Sequence, residues 1–152
     1  KSTYQSLLRT GLGGTKMGGK LVRVGTTYIP VADVERSSEW YVKNLEATLN
    51  YKDKDKAILN FANQSFFLVH SKENESANFI DKYGKECFSI TFEVDGFQAL
   101  EALHHDFKQI GVKVGEIENR GHAGKNFIFY DLDGNQFDVW SELSPAFKGK
   151  LI

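Results

Sequence analysis

Phe127-Ile-Phe-Tyr-Asp-Leu-Asp-Gly-Asn-Gln-Phe-Asp-Val-Trp-Ser141 is an aromatic and β-branched run, a polar turn and a second such run. Asp133-Gly134 tolerates positive φ in the turn, so the stretch predicts a β-hairpin. Alternation along its second strand puts Gln136, Asp138 and Trp140 on one face and Phe137 and Val139 on the other. A carboxylate thus shares a side with an indole. If that face lines a cavity, Asp138 anchors a site; if it faces water, Asp138 is an ordinary surface charge.

Around this hairpin the chain has 152 residues, 41% apolar and 26% charged, enough for one compact domain or two small modules sharing a core. A net charge of -1 gives no reason to expect nucleic acid or an anionic membrane as partner. No apolar run approaches the roughly 18 residues that suggest a membrane span. The lone Cys87 excludes an intramolecular disulfide and suits a reducing, cytoplasmic setting. Residues 1–19 look foreign to the rest: the first sixteen carry three basic residues and no acidic one, and the single methionine, Met17, stands where composition changes. Two readings stay open for that segment, an added leader and a native flexible arm.

The organised domain spans residues 20–145, as modules 20–72 and 84–142. In the first, Leu21–Val31 reads as a strand that Pro30 confines to an edge or an end. Asp33 caps a helix in which Val34, Ser37, Ser38, Tyr41, Val42 and Leu45 recur at helical spacing. Strands are predicted over Thr48–Lys52, Ala57–Phe61 and Ser65–His70. The connector Ser71–Lys85 is about fifteen residues, near the length at which loops become functional, and is expected to pack in part as a helical turn or lid. The second module repeats the order. Glu86–Val94 reads as a strand, Leu100, Leu103, Phe107 and Ile110 mark a helix stopped by Gly111, Val112–Ile117 is a further strand, and the hairpin closes the set.

The duplication sets Thr26–Val31 against Ser89–Val94 and Ser65–Val69 against Gln136–Trp140, with Phe67 opposite Asp138. The fold class is therefore α+β: two βαβββ modules with curved mixed sheets enclosing a trough.

The segment Asp33 to Leu45, with Arg36-Ser37 and Trp40-Tyr41, and the turn Asp131-Leu-Asp-Gly-Asn135 followed by Asp138, resemble the vicinal-oxygen-chelate superfamily of glyoxalase I, extradiol dioxygenases, fosfomycin-modifying enzymes and bleomycin-resistance proteins. The likeness covers residues from about 21 to 142. Leu132 departs from the usual proline, and Glu46 from the glycine that commonly ends the helix. The resemblance implies metal ligands at Thr26, Phe67, Ser89 and Asp138, where metal-dependent members have His, Glu or Gln. Only Asp138 is a good ligand, whereas a transition metal wants three or four N, S or O donors. No metal and no other cofactor is expected at this place.

The presumed cavity face then carries Tyr28, Phe67, Val69, Thr91 and Trp140 around Asp138, with Thr26 and Ser89 near it. A carboxylate so placed has its pKa raised unless hydroxyls or a cation stabilise the charged form. His122, in the Gly121–Gly124 loop, is open between a loop residue and a cavity residue. His104 and His105 read as solvated, His70 as pointing away, and Cys87 as a buried structural thiol. Two functions follow. One is a binding protein resembling metal-independent bleomycin-resistance members, holding an aromatic or cationic small molecule in the trough. The other is a glyoxalase- or dioxygenase-type enzyme with a displaced metal site, for instance Asp138 with His122. A plugged trough would leave a third, a module for protein contacts alone. The resemblance also implies a homodimer.

Overall fold

The computed structural model describes residues 19–149, so the leader or arm expected over 1–19 lies, Gly19 apart, outside the described residues. The first module comprises β1 (Thr26–Val31), α1 (Val34–Leu45), β2 (Thr48–Lys52), β3 (Lys56–Phe61) and β4 (Gln64–His70). Its sheet has the order β1-β4-β3-β2, with β1 parallel to β4 and the other pairs antiparallel. The first strand is shorter than predicted. Its ladder starts at Thr26 opposite Ser65, and β4 turns back into β3 through Ala62 and Asn63, both at positive φ, so residues 21–25 have no strand to pair with. Leu21 is 87% exposed as a result.

Asp33 caps α1 as expected, its Oδ1 accepting from the Arg36 N–H at 3.1 Å. The helix ends with Glu46 at φ 57°, the left-handed position usually given to glycine. Between β2 and β3 the carboxyl of Asp53 accepts from the Tyr51 hydroxyl and from the backbone of Asp55 and Lys56. The Tyr51 hydrogen bond, then that of Asp55, lowers its pKa from 3.8 to about 2. A depressed carboxylate stabilises the fold above its unfolded value and loses that contribution as pH falls through about 2. Asp53→Asn is therefore expected to lower stability at pH 6 and to match the parent near pH 2, as read by urea denaturation. A pH-independent difference would refute the linkage.

The second module comprises β7 (Thr91–Glu93), α2 (Phe97–Gln109), β8 (Asn126–Tyr130) and β9 (Gln136–Trp140), followed by α3 (Pro145–Lys148). Its sheet runs β7-β9-β8, again with a parallel pair, β7 on β9. Gly111, at φ 86°, follows the end of α2 as predicted. Three expectations change here. Glu86–Val94 divides into β6 (Glu86–Cys87) and β7, and the connector forms β5 (Phe79–Ile80), which pairs with β6 in a small hairpin in place of a helical turn. Asp81 sets that hairpin's turn by accepting from the Tyr83 and Lys85 N–H groups. Residues 112–117 pair with β8 through an isolated bridge, Val114 to Phe129, and a second follows just beyond, Glu118 to Asn126, in place of a full strand.

The duplication is exact to the residue in register. Tyr28 pairs with Phe67 in the first sheet as Thr91 pairs with Asp138 in the second, and Ile58 lies beside Phe67 as Ile128 lies beside Asp138. Each helix packs on one face of its own sheet, with Tyr41 against Phe61 at 5.7 Å and Phe107 against Phe129 at 4.8 Å. Those same faces meet each other, since Phe92 lies 6.0 Å from Phe66 and 5.6 Å from Phe137. The modules thus share one aromatic core, and the alternate residues of both sheets point outward from it. The sheets are curved and not closed, and each turns its outer face away from the shared core to form a wall of the trough.

The hairpin turn fastens the modules together. Asp131 is 7% exposed; its Oδ1 accepts from the N–H groups of Asp133 and Asn135, and its Oδ2 accepts from the Tyr41 hydroxyl and the Asn135 amide. Asp133 reaches the first module through the Ala32 N–H and the Ser37 hydroxyl, and Asn135 donates to Pro30 O. Burial pushes the Asp131 carboxyl up against the opposing pull of these donors, and burial with the Asp131 charge raises the Tyr41 phenol well above its usual range. The turn that carries the resemblance is a structural clasp.

Candidate functional site

Asp138 is 2% exposed and lies on the outer face of the second sheet. Its Oδ2 accepts from the Thr91 hydroxyl at 3.0 Å and from the Asn126 amide at 2.9 Å. Its Oδ1 lies 3.0 Å from Nη1 of Arg120, an ion pair without hydrogen-bond alignment, so that oxygen makes no hydrogen bond. Asn126, 4% exposed, also leaves its Oδ1 without a partner. Arg120 is held from the other side by Glu118, Nε to Oε1 at 2.7 Å, and its guanidinium lies 5.6 Å from the ring centre of Phe88. The buried Asp138 carboxyl is thus surrounded by two neutral donors and a cation, as buried polar groups require.

Beside this cluster, the Trp140 indole donates to Ala123 O at 2.8 Å, and His122 stands edge-on to it at 6.0 Å with Nδ1 turned to Ala123 O. Thr91 and Trp140 share the outer face with Asp138, as alternation demands, and His122 is brought to the same rim. Ser89 is exposed in the segment that leads into β7. The first-module residues are elsewhere. Thr26, Tyr28, Phe67 and Val69 line the outer face of the other sheet, where Tyr28 and Phe67 pair at 5.1 Å and Tyr28 is 62% exposed. The expected residues thus fall on two sheets, as an aromatic wall on one module and a polar wall on the other.

Sequence reasoning missed Asn126 and Arg120. Asn126 was legible, because it precedes Phe127 in the alternation that puts Ile128 and Tyr130 on the outer face. Arg120 sits in a loop with no period to betray its reach. Two further readings need correction. His104 is half-buried, its Nε2 2.8 Å from Gly115 O and its edge against Phe127. Cys87 is half-buried as well, its thiol 3.7 Å from Asp81 Oδ2.

The residues do not fit a divalent transition metal at the place the resemblance implies. Phe67 offers a ring, both Asp138 oxygens face donors or a guanidinium, and among the described residues no group of three or more His, Cys, Asp or Glu is placed to hold an ion. Among the described residues no helix is long and apolar enough to cross a membrane. A separate groove of about 670 Å³ opens between the C-terminal halves of α1 and α2, lined by Phe61, Phe92, Leu103 and Ile110, and contains none of the expected site residues.

The model of the Glyoxalase/Bleomycin resistance protein/Dioxygenase superfamily matches residues 21–139. Among solved structures, lactoylglutathione lyase from Agrobacterium tumefaciens superposes with a TM-score of 0.64 at 12% identity, covering 81% of this chain and 96% of that one. The fosfomycin resistance protein FosX from Listeria monocytogenes, complexed with Mn(II) and sulfate, gives 0.66 at 13% identity, covering 88% and 100%. A glyoxalase/bleomycin resistance protein/dioxygenase from Alicyclobacillus acidocaldarius gives 0.62 at 16% identity, covering 82% and 94%. No curated protein matches the chain by sequence.

Proposed function

This chain belongs to the Glyoxalase/Bleomycin resistance protein/Dioxygenase superfamily, and on that ground we propose that it is a metal-independent small-molecule-binding protein that holds an aromatic or cationic ligand against its outer sheet faces. The observation that carries this reading is the state of Asp138. At the position where a metal-dependent relative needs a free carboxylate, this one is taken up by Thr91, Asn126 and Arg120, and its counterpart in the first module is Phe67. What remains is a wall suited to binding: exposed Tyr28 tilted on Phe67 in one module, and Trp140, Thr91 and Arg120 in the other.

The two walls belong together in a homodimer. A two-fold pairing that sets the aromatic wall of one chain against the Asp138 wall of its partner closes each open trough and covers the exposed Tyr28. The free Cys87 suits a reducing compartment and supports a cytoplasmic setting. An enzyme with a metal displaced onto Asp138 and His122 draws less support, because His122 Nδ1 faces Ala123 O and the carboxylate has its partners already.

Elemental analysis of protein incubated with Mn(II), Ni(II) and Zn(II) and then desalted is expected to give well under one equivalent of each, with light scattering at twice the chain mass. One equivalent of a metal that is lost in Asp138→Asn would overturn the binding reading in favour of a metalloenzyme.

A further inference from the structure

The polar wall holds an imbalance. Asp138 and Glu118 carry two negative charges against the single positive charge of Arg120, so the cluster is one cation short. It is also short of donors on its inner side. Asp138 Oδ1 and Asn126 Oδ1 are both buried acceptors without a hydrogen bond, and the Asn126 amide cannot be turned over without setting its oxygen against Asp138 Oδ2. Asp138 Oδ1 faces the Arg120 guanidinium, 3.0 Å from Nη1, without an aligned N–H.

Arg120 is the loop member of the cluster. Its backbone lies between two fixed points: Glu118 and Asn126 exchange backbone hydrogen bonds at 2.7 and 3.1 Å, and Lys125 and Ser141 lock the far end through the Lys125 N–H to Ser141 Oγ and the Ser141 N–H to Lys125 O. Between them the side chain is 24% exposed and held by Glu118, itself 54% exposed.

We infer that Arg120 is an internal cation seated on a ligand subsite, and that the subsite takes a flat cationic group, an amidinium or guanidinium, which reaches Asp138 by displacing it. The inference rests on the outer face being a binding surface and adds the charge of the ligand. A planar N–H fork supplies the aligned donor that Asp138 Oδ1 lacks, since such forks pair with carboxylates. An incoming unit charge also brings the cluster to neutrality, with Arg120 retained by Glu118. Phe88, against which the guanidinium now rests, remains a face for the ligand's cation.

Displacement fixes the expected result. Apparent affinity is reduced by the fraction of molecules in which Arg120 is already out, so if that fraction is about one tenth, removing the side chain strengthens binding about tenfold. The probes are benzamidinium and its neutral isostere benzamide, followed by NMR titration of the full chain. Arg120→Ala is expected to bind benzamidinium at least tenfold tighter than the parent and benzamide about equally, and Asp138→Asn to lose the preference for the cation. Benzamidinium should also raise the melting temperature of Arg120→Ala more than that of the parent, because it restores the missing charge.

If Arg120→Ala does not fold, titration of the parent decides the matter through its Arg120 guanidinium ¹⁵N resonances. Benzamidinium should shift these saturably and benzamide should leave them. Binding of benzamide with no gain for benzamidinium in Arg120→Ala, or with unmoved guanidinium resonances in the parent, overturns the displacement and leaves the binding surface standing. Failure of both probes to bind parent and variants removes the surface and the displacement together.

Discussion

Replacement of Asp131 by alanine is expected to lower the free energy of unfolding by about 3–5 kcal/mol, since it breaks a buried network on which both modules depend. Four donors lose their acceptor at once: the Tyr41 hydroxyl, the N–H groups of Asp133 and Asn135, and the Asn135 amide. Tyr41 and Asn135 are fully buried, so water cannot replace the carboxylate without opening the core. Asp133→Ala is the internal control. Its partners are the Ala32 N–H, in an exposed bond, and the part-buried Ser37 hydroxyl, so a loss of only about 1 kcal/mol is expected. Urea denaturation of the two variants compares them directly, and similar losses would show that Asp131 is not the centre of the clasp.

Gly124→Ala is the second large effect, expected at about 2–5 kcal/mol. Gly124 has φ 76°, a conformation that costs an L side chain roughly 1–2 kcal/mol. An added Cβ would also lie 2.7 Å from Ser141 Oγ and 2.8 Å from both Glu142 Cγ and Trp140 Nε1, and such overpacking costs about 1–3 kcal/mol. The indole must give way, which breaks its bond to Ala123 O and moves the rim of the polar wall. Gly134→Ala separates the two terms, because at φ 80° it meets the same backbone strain with nothing within 4 Å. Denaturation followed by tryptophan fluorescence is expected to show a shifted native emission in Gly124→Ala alone. Equal losses in the two variants would mean that the close approach to Trp140 relaxes without cost.

Residue pattern made much of this molecule readable. The period of α1, the alternation of β3, β4 and β9, and the match of Phe67 to Asp138 follow from local sequence, because each depends on which residues of one element share a face. The direction in which the modules meet does not. Both faces of the first sheet carry apolar side chains, Phe66 and Leu68 on one and Phe67 and Val69 on the other, so hydrophobicity alone cannot say which joins the common core. The small hairpin of β5 and β6 was hidden because two-residue strands with exposed Phe79 and Ile80 have no period to detect. Arg120 was hidden for a different reason. A loop side chain acquires its partner from tertiary geometry, and the distance along the chain from Arg120 to Asp138 carries no mark of it.

The clasp has a topological corollary. All of its bonds join side chains and backbone that lie either before residue 72 or after residue 76, and the exposed Glu73-Asn74 step between them makes none. The covalent thread at that step acts only as a tether, which sets the effective concentration of one half at the other. It delivers one half to the other during synthesis, and thereafter the aspartate knot and the common aromatic interior keep them in company.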